Sequence, residues 1–244
     1  MSPTTGAGDI RFFQEDGRRN KERFAALIGP LLWPGMRILD VGAGGDPTLP
    51  ESIRPAGTYY VGIDEDAAEL ERAAHRYDAT IVSDITRHDP ALDEQFDLVV
   101  SWQVFEHVRS PRLAYDNIHR YLKPGGMYGG RLTARNAWFA ILNRLLPISF
   151  TRWLLGKASG RCPDSVFKAY YQDATIARLR AIFGEWASHE IWVEYDGREY
   201  FQFSRLATDA YLRLLRIVRR RPRFATYYTI LARKSGKPGQ APRS

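Results

Sequence analysis

Four stretches of this chain place carboxylates, glycines or imidazole where chemistry could be done. The first is Ile38-Leu-Asp-Val-Gly-Ala-Gly-Gly-Asp46, an apolar run entering a glycine-rich turn, with a helix expected to begin near Pro47. Glycines at a strand-to-helix turn let backbone approach a ligand and supply N–H groups to it. The second is Asp64, 24 residues after Asp40. A carboxylate there can accept hydrogen bonds from both hydroxyls of a ribose. The third is Ser83-Asp84-Ile85, where the acid could accept from an adenine amino group while Ile85 packs on the ring. The fourth, Trp102-Gln-Val-Phe-Glu-His107, brings an acid and an imidazole. A dinucleotide fingerprint needs Gly-x-Gly-x-x-Gly/Ala. Gly42 and Gly44 fit it, but Pro47 stands in its last position.

These stretches need elements to position them. Arg37–Val41, Thr58–Ile63, Ala79–Ser83 and Phe96–Ser101 read as buried strands, and each of the four stretches falls at the carboxyl end of one. Asp66–His75 reads as a helix between the second and third, and Ser110-Pro111 as the cap and first position of another. Lys123-Pro-Gly-Gly126 should stop that helix, and Met127–Thr133 reads as a fifth strand. Glu190–Glu194 and Arg223–Ala232 read as later strands, with Tyr170–Phe183 helical before them. Alternating strands and helices predict a parallel sheet covered by helices, and such sheets bind ligands at the carboxyl ends of their strands. Upstream, Phe12, Phe13, Phe24, Leu27 and Ile28 punctuate a charged stretch as in an amphipathic helix ending near Pro30. The Phe12–Phe13 pair would close over a bound cofactor or staple that helix.

The run Ile38-Leu-Asp-Val-Gly-Ala-Gly, Val61-Gly-Ile-Asp64, Ser83-Asp84, Phe96-Asp-Leu-Val-Val, Phe105-Glu-His-Val108 and Leu122-Lys-Pro-Gly-Gly126 resembles the class I S-adenosylmethionine-dependent methyltransferases with a Glu-His-Val/Ile motif after strand four. The likeness covers roughly Arg37 to Leu132. It implies a Rossmann-like α/β fold, a seven-stranded, mostly parallel sheet with helices on both faces and its last strand antiparallel. It also implies S-adenosyl-L-methionine across the tips of strands one to four. Asp40, Gly42 and Gly44 match the glycine-rich motif, Asp64 the ribose acid and Asp84 the adenine-side acid; Ala43, Glu65, Ile85 and Trp102 complete the cofactor-binding set. Asp46 departs from the family pattern, which has a third glycine there. His107 is the candidate base for a hydroxyl acceptor, or else a residue that orients its loop; Glu106 is read as the loop's anchor. No metal site is expected. The later chain is more loosely similar to methyltransferases of cell-envelope and polysaccharide biosynthesis, in which a hydrophobic-basic insert follows strand five and a Tyr-Tyr pair, here Tyr170-Tyr171, opens a helix.

Length and charge bound the partners. The 244 residues suit one domain, with 1–9 and 235–244 expected to be disordered and 134–170 forming the insert. A single cysteine, Cys162, excludes an internal disulfide. Without a secretory segment at its start, the chain is expected in the cytoplasm. Of the net charge of +7, residues 205–244 hold 11 basic groups and one acid, leaving the rest of the chain at −3. The insert, with Trp138, Phe139 and Trp153 among basic residues, and this basic C-terminal region together would contact an anionic membrane at its inner face; otherwise the insert forms a lid or a subunit interface. The expected activity is O-methylation of a sugar or lipid-linked glycan. The alternatives are a quinone, phenol or natural-product acceptor, or a methyltransferase-like module that binds without catalysis. Nucleic acid is disfavoured as a target: strand four ends in Ser101-Trp102-Gln103 rather than the Asn/Asp-Pro-Pro-Tyr/Phe of exocyclic-amine enzymes, which leaves ribose or other RNA targets open.

Overall fold

A computed structural model describes residues 9–13, 20–145, 169–196, 204–219 and 221–236. Its elements, in chain order, are β1 (Asp9–Phe12), α1 (Asn20–Ile28), β2 (Arg37–Val41), β3 (Tyr59–Asp64), α2 (Ala67–Ala73), β4 (Ala79–Val82), β5 (Phe96–Trp102) and α3 (Pro111–Tyr121). There follow β6 (Leu122–Thr133), α4 (Trp138–Leu145), α5 (Ile176–Phe183), β7 (Ser188–Glu194), α6 (Arg205–Val218) and β8 (Tyr227–Arg233). The strands form one mixed sheet in the order β1-β7-β8-β6-β5-β2-β3-β4. All neighbours are parallel except β8, which runs antiparallel to both β6 and β7.

The central strands are apolar on both faces because helices cover both. Alternate residues of a strand point to opposite sides. Ile38, Leu98 and Val100 therefore meet Phe24 and Ile28 of α1. Leu39, Val41 and Val99 share the larger core with Ala114, Tyr115 and Ile118 of α3 and Leu179 and Phe183 of α5. In α3, Ala114, Tyr115, Ile118 and Tyr121 recur at helical spacing and are buried, while Pro111 takes the first position, where a missing N–H costs nothing. Asp66 caps α2 by accepting from Ala68 N and Glu69 N at 3.0 and 3.1 Å.

Several expectations need correction. The sheet has eight strands, not seven: Asp9–Phe12 is a parallel edge strand on β7. Asp9 is therefore ordered, and Phe12 belongs to a strand rather than to the first helix, which starts at Asn20. Phe12 stacks on Tyr195 and Phe13 packs against Trp192, at the sheet edge opposite β4, so the pair does not cover the glycine-rich turn. No α-helix begins near Pro47. A single 3-10 turn at Glu51–Ile53 stands there, since Pro50 lacks the N–H that a helix begun at Pro47 would bond first. Tyr170 and Tyr171 precede α5 rather than open it. Tyr171 has φ +51° and Asp173 φ +54°, and Thr175 caps the helix from outside. Strand β6 starts at Leu122 with a register shift opposite Phe96–Leu98. Ser235 accepts from Gly125 N at 3.1 Å, so the chain stays paired just past β8. Of the insert, only 134–145 and 169–170 are described; Phe150, Trp153 and Cys162 lie outside the described residues. Among the described residues no helix is long and apolar enough to cross a membrane.

Candidate active site

The pairings Val41 with Ile63 and Ser101, Asp64 with Val82, and Trp102 with Arg131 bring the carboxyl ends of β2 to β6 to one edge. The four sequence stretches meet there. The turn after β2 is built by glycine. Gly42 has φ +72°, and a Cβ on it would lie 2.1 Å from Val104 Cγ2, in the loop after β5. Gly42 N and Ala43 N donate to the Ile63 carbonyl at 2.9 and 3.1 Å, tying the turn to the end of β3. Ala43 is fully buried, so it offers backbone only.

Asp40 lies beneath this turn with no solvent exposure. Its Oδ2 accepts from Thr48 N at 2.7 Å and Tyr60 Oη at 2.6 Å. Tyr77 Oη is 3.1 Å from both that oxygen and the Ala43 carbonyl. Burial raises the Asp40 carboxyl above its ordinary value, and these hydrogen bonds oppose the shift. Its other oxygen, Oδ1, is buried without a hydrogen-bond partner. Asp40 thus shapes the loop from below. Tyr60 and Tyr77 stack at 5.1 Å beside it, and burial lifts both phenols well above the ordinary range, so they act as donors.

Asp64 and Asp84 stand on the upper side. Asp64 Oδ2 accepts from Gly44 N and Oδ1 from Asp66 N, both at 2.9 Å. Asp64 and the glycine turn are therefore locked together. Glu65, beside it, is exposed. Asp84 Oδ1 accepts from Thr86 N and Thr86 Oγ1 at 2.8 Å. Ile85 is buried, with its carbonyl held by Asn117 Nδ2 at 2.8 Å. Asp46, at the position of the usual third glycine, pairs with Lys21 of α1 and with Arg76 at 3.0 Å. Partial burial would raise its carboxyl, but these two cations hold it below its ordinary value.

The loop after β5 carries the second half of the site. Gln103 takes a left-handed conformation, φ +55°, and donates from its N to Arg131 O at 2.7 Å. Glu106 is buried; its Oε1 accepts from Thr133 Oγ1 at 2.7 Å, and its carbonyl accepts from Tyr170 N and Tyr171 N. It anchors the loop and also fastens the far end of the insert to it. His107 is half-buried, with its N donating to Val104 O at 2.9 Å. Tyr170 Oη accepts from Arg109 Nε at 2.9 Å, so this tyrosine belongs to the same wall. Trp102 faces α1, edge-on to Phe24 at 5.3 Å, with the Arg131 guanidinium 4.5 Å over its ring. Arg131 is bonded through Nε and a terminal nitrogen to Glu194, which also pairs with Arg23. Nothing in the sequence flagged Arg131, Glu194, Tyr60, Tyr77 or Lys21. Their partners are 20 to 171 residues away, and only the departure at Asp46 carried a local signal.

Compared with known proteins, residues 13–160 match a family model described as a methyltransferase domain. The chain belongs to this family. The ubiquinone biosynthesis O-methyltransferase of Nitrobacter winogradskyi is 29% identical over 150 residues, covering 59% of this chain and 56% of the relative. That of Pseudomonas syringae pv. tomato is 37% identical over 98 residues, 38% of this chain and 42% of the relative. The chain spans about half the length of the curated relatives it matches. Among solved structures, Haemonchus contortus phosphoethanolamine N-methyltransferase 2 superposes with TM-score 0.52 at 17% identity, covering 88% of this chain and 52% of that one. The fold is thus the Rossmann-like methyltransferase fold, enlarged by an edge strand.

Proposed function

We propose that this methyltransferase domain transfers the methyl group of S-adenosylmethionine to a hydroxyl of a quinone- or phenol-class small molecule. The similarity to ubiquinone biosynthesis O-methyltransferases is the observation that carries the acceptor class. It favours this acceptor over a sugar or lipid-linked glycan.

The residues present fit the cofactor. The turn at Gly42 admits no side chain, the Gly44 N–H lies against Asp64, and Asp84 keeps Oδ2 open. Asp64 would accept from the ribose hydroxyls and Asp84 from the adenine amino group, while Asp40 holds the turn in shape. The bound cofactor supplies a methyl on a sulfonium, already activated for displacement. Holding the acceptor in line can then supply on the order of 7–11 kcal/mol. A ring nitrogen of His107 takes the hydroxyl proton, a role worth about 10²–10⁴-fold.

Mass spectrometry of purified protein with S-adenosylmethionine and a panel of catechols, hydroquinones and sugars tests the reading. Methylation of sugars alone would sink it. His107→Ala should slow single turnover while leaving cofactor affinity unchanged; a matching loss of affinity with no separate rate defect would make His107 structural. Asp64→Ala should weaken cofactor binding by about 1.5–3 kcal/mol in calorimetry, the range for hydrogen bonds to a charged group.

A further inference from the structure

We propose that the outward face of α6 docks on an anionic membrane, at the same edge of the sheet as the active site. The excursion that carries α6 leaves β7 at Glu194 and returns into β8 at Tyr227, and these two residues are paired in register. Its base is therefore the carboxyl edge, where Trp102 and Thr133 also end their strands. The inner side of α6 is fixed there. Tyr211, Leu215 and Val218 are buried against Tyr195 and Phe224, and Tyr211 Oη donates to Asp196 O at 3.0 Å.

The outer side is different. At 100° per residue Leu206, Ala210, Leu214 and Ile217 form one stripe. Leu206 is 82% exposed and Ile217 73%, the two most exposed large hydrophobic residues described. Arg205, Arg213 and Arg216 are exposed along the stripe, and Arg219, Arg221 and Arg223 continue the basic surface past the helix. From Arg205 to Arg223 the sequence has seven arginines and one acid, Asp209. A helix that is apolar along one line and arginine-rich beside it suits a layer of anionic headgroups over hydrocarbon. A second copy of this face is a poor partner, because it would bring the same arginines together. Nucleic acid would satisfy the charges but leave Leu206 and Ile217 in water. Docked this way, the mouth at the carboxyl edge faces the bilayer, so an apolar acceptor could enter from it. That consequence rests on the quinone reading above; the docking itself does not.

Co-sedimentation of the full chain, without cofactor or acceptor, tests the docking separately. The probes are vesicles of phosphatidylcholine mixed with phosphatidylglycerol, and of phosphatidylcholine alone. We expect binding to the mixed vesicles only, weakened by salt. Leu206→Ser with Ile217→Ser should weaken it about tenfold or more, and Arg213→Glu with Arg216→Glu should do likewise. Circular dichroism and S-adenosylhomocysteine binding should match wild type in both variants, since neither pair touches the cofactor cradle. Absence of binding to mixed vesicles would overturn the proposal. So would binding indifferent to both variants, or a concentration-dependent dimer that the Leu206→Ser, Ile217→Ser variant breaks.

Discussion

At the scale of single residues, the most exacting position is Asp40. It receives Thr48 N–H and Tyr60 O–H with no solvent exposure, and both donors would be orphaned by Asp40→Ala. An unsatisfied buried donor costs about 1–3 kcal/mol, so this variant should lose about 2–5 kcal/mol in urea denaturation. Asp40→Asn keeps one acceptor oxygen and puts an amide where Oδ1 now has no partner, so its loss should be smaller. Wild type and Asp40→Asn also separate in pH dependence. Burial raises the native Asp40 pKa above its unfolded value of 3.8. Between those two values the native state holds the proton more tightly, so this group's contribution to stability is present below the unfolded value and is lost as pH rises through the native one. Asn cannot titrate. The stability difference between wild type and Asp40→Asn should therefore shift in favour of wild type as pH falls through the mildly acidic range. A difference that stays flat with pH would mean that Asp40 does not ionise there.

At the scale of elements, the strands were legible and their attachments were not. Ile38, Leu39 and Val41, or Leu98, Val99 and Val100, can only be strands buried on both faces, and the acids that follow them had to share an edge. The turn glycines were readable for the same reason, since Gly42 answers a steric demand. Asp9–Phe12 was missed because its alternation of Asp9 and Arg11 with Ile10 and Phe12 lasts only four residues; it is recruited by β7 through backbone pairing. The link between α1 and the cofactor turn was equally invisible, for it rests on Lys21, Asp46 and Arg76, far apart in sequence. Their side chains are 40%, 67% and 45% exposed, so the pairs add little to global stability. Their effect is local. Asp46→Gly, which restores the family's glycine, should leave the urea midpoint nearly unchanged while speeding hydrogen exchange at the amides of α1. The depressed Asp46 pKa fixes the pH sign: the tether is present above the ordinary carboxylate value and is lost as pH falls through the lowered one. Exchange in α1 that is identical in the two proteins at neutral pH would remove the tether.

At the scale of the whole molecule, what matters is how the β1-β7-β8 end of the sheet is held to the β2–β6 part. Among the described residues, strands β1, β7 and β8 pair with the rest of the sheet through the antiparallel ladder of β8 with β6. One side-chain cluster reinforces that seam on the α1 face. Glu194 of β7 reaches past β8 to Arg131 of β6 at 2.8 Å and also takes Arg23 of α1 at 3.1 Å. The Arg131 guanidinium lies 3.6 Å from the Tyr227 ring and 4.5 Å from the Trp102 ring, so two aromatic faces share the second positive charge with the single carboxylate. Arg131 and Glu194 are 1% and 3% exposed, and water cannot replace a missing partner there. Glu194→Gln keeps the shape of the side chain and removes its charge, leaving two guanidinium groups uncompensated. Breaking a buried pair in this way costs about 3–5 kcal/mol, enough to lower the urea midpoint sharply. Removing Arg131's charge at the same time, as in Glu194→Gln with Arg131→Met, should recover part of that loss, because the penalty lies in the unpaired charge and not in the missing bond. Arg23→Ala, nearer the surface, should cost less than Glu194→Gln. The cluster spans α1, the tip of β5 and the base of the α6 excursion, so Glu194→Gln should also weaken acceptor binding while Arg23→Ala largely spares it. A Glu194→Gln protein as stable as wild type would show that the backbone pairing of β6 with β8 holds the seam alone.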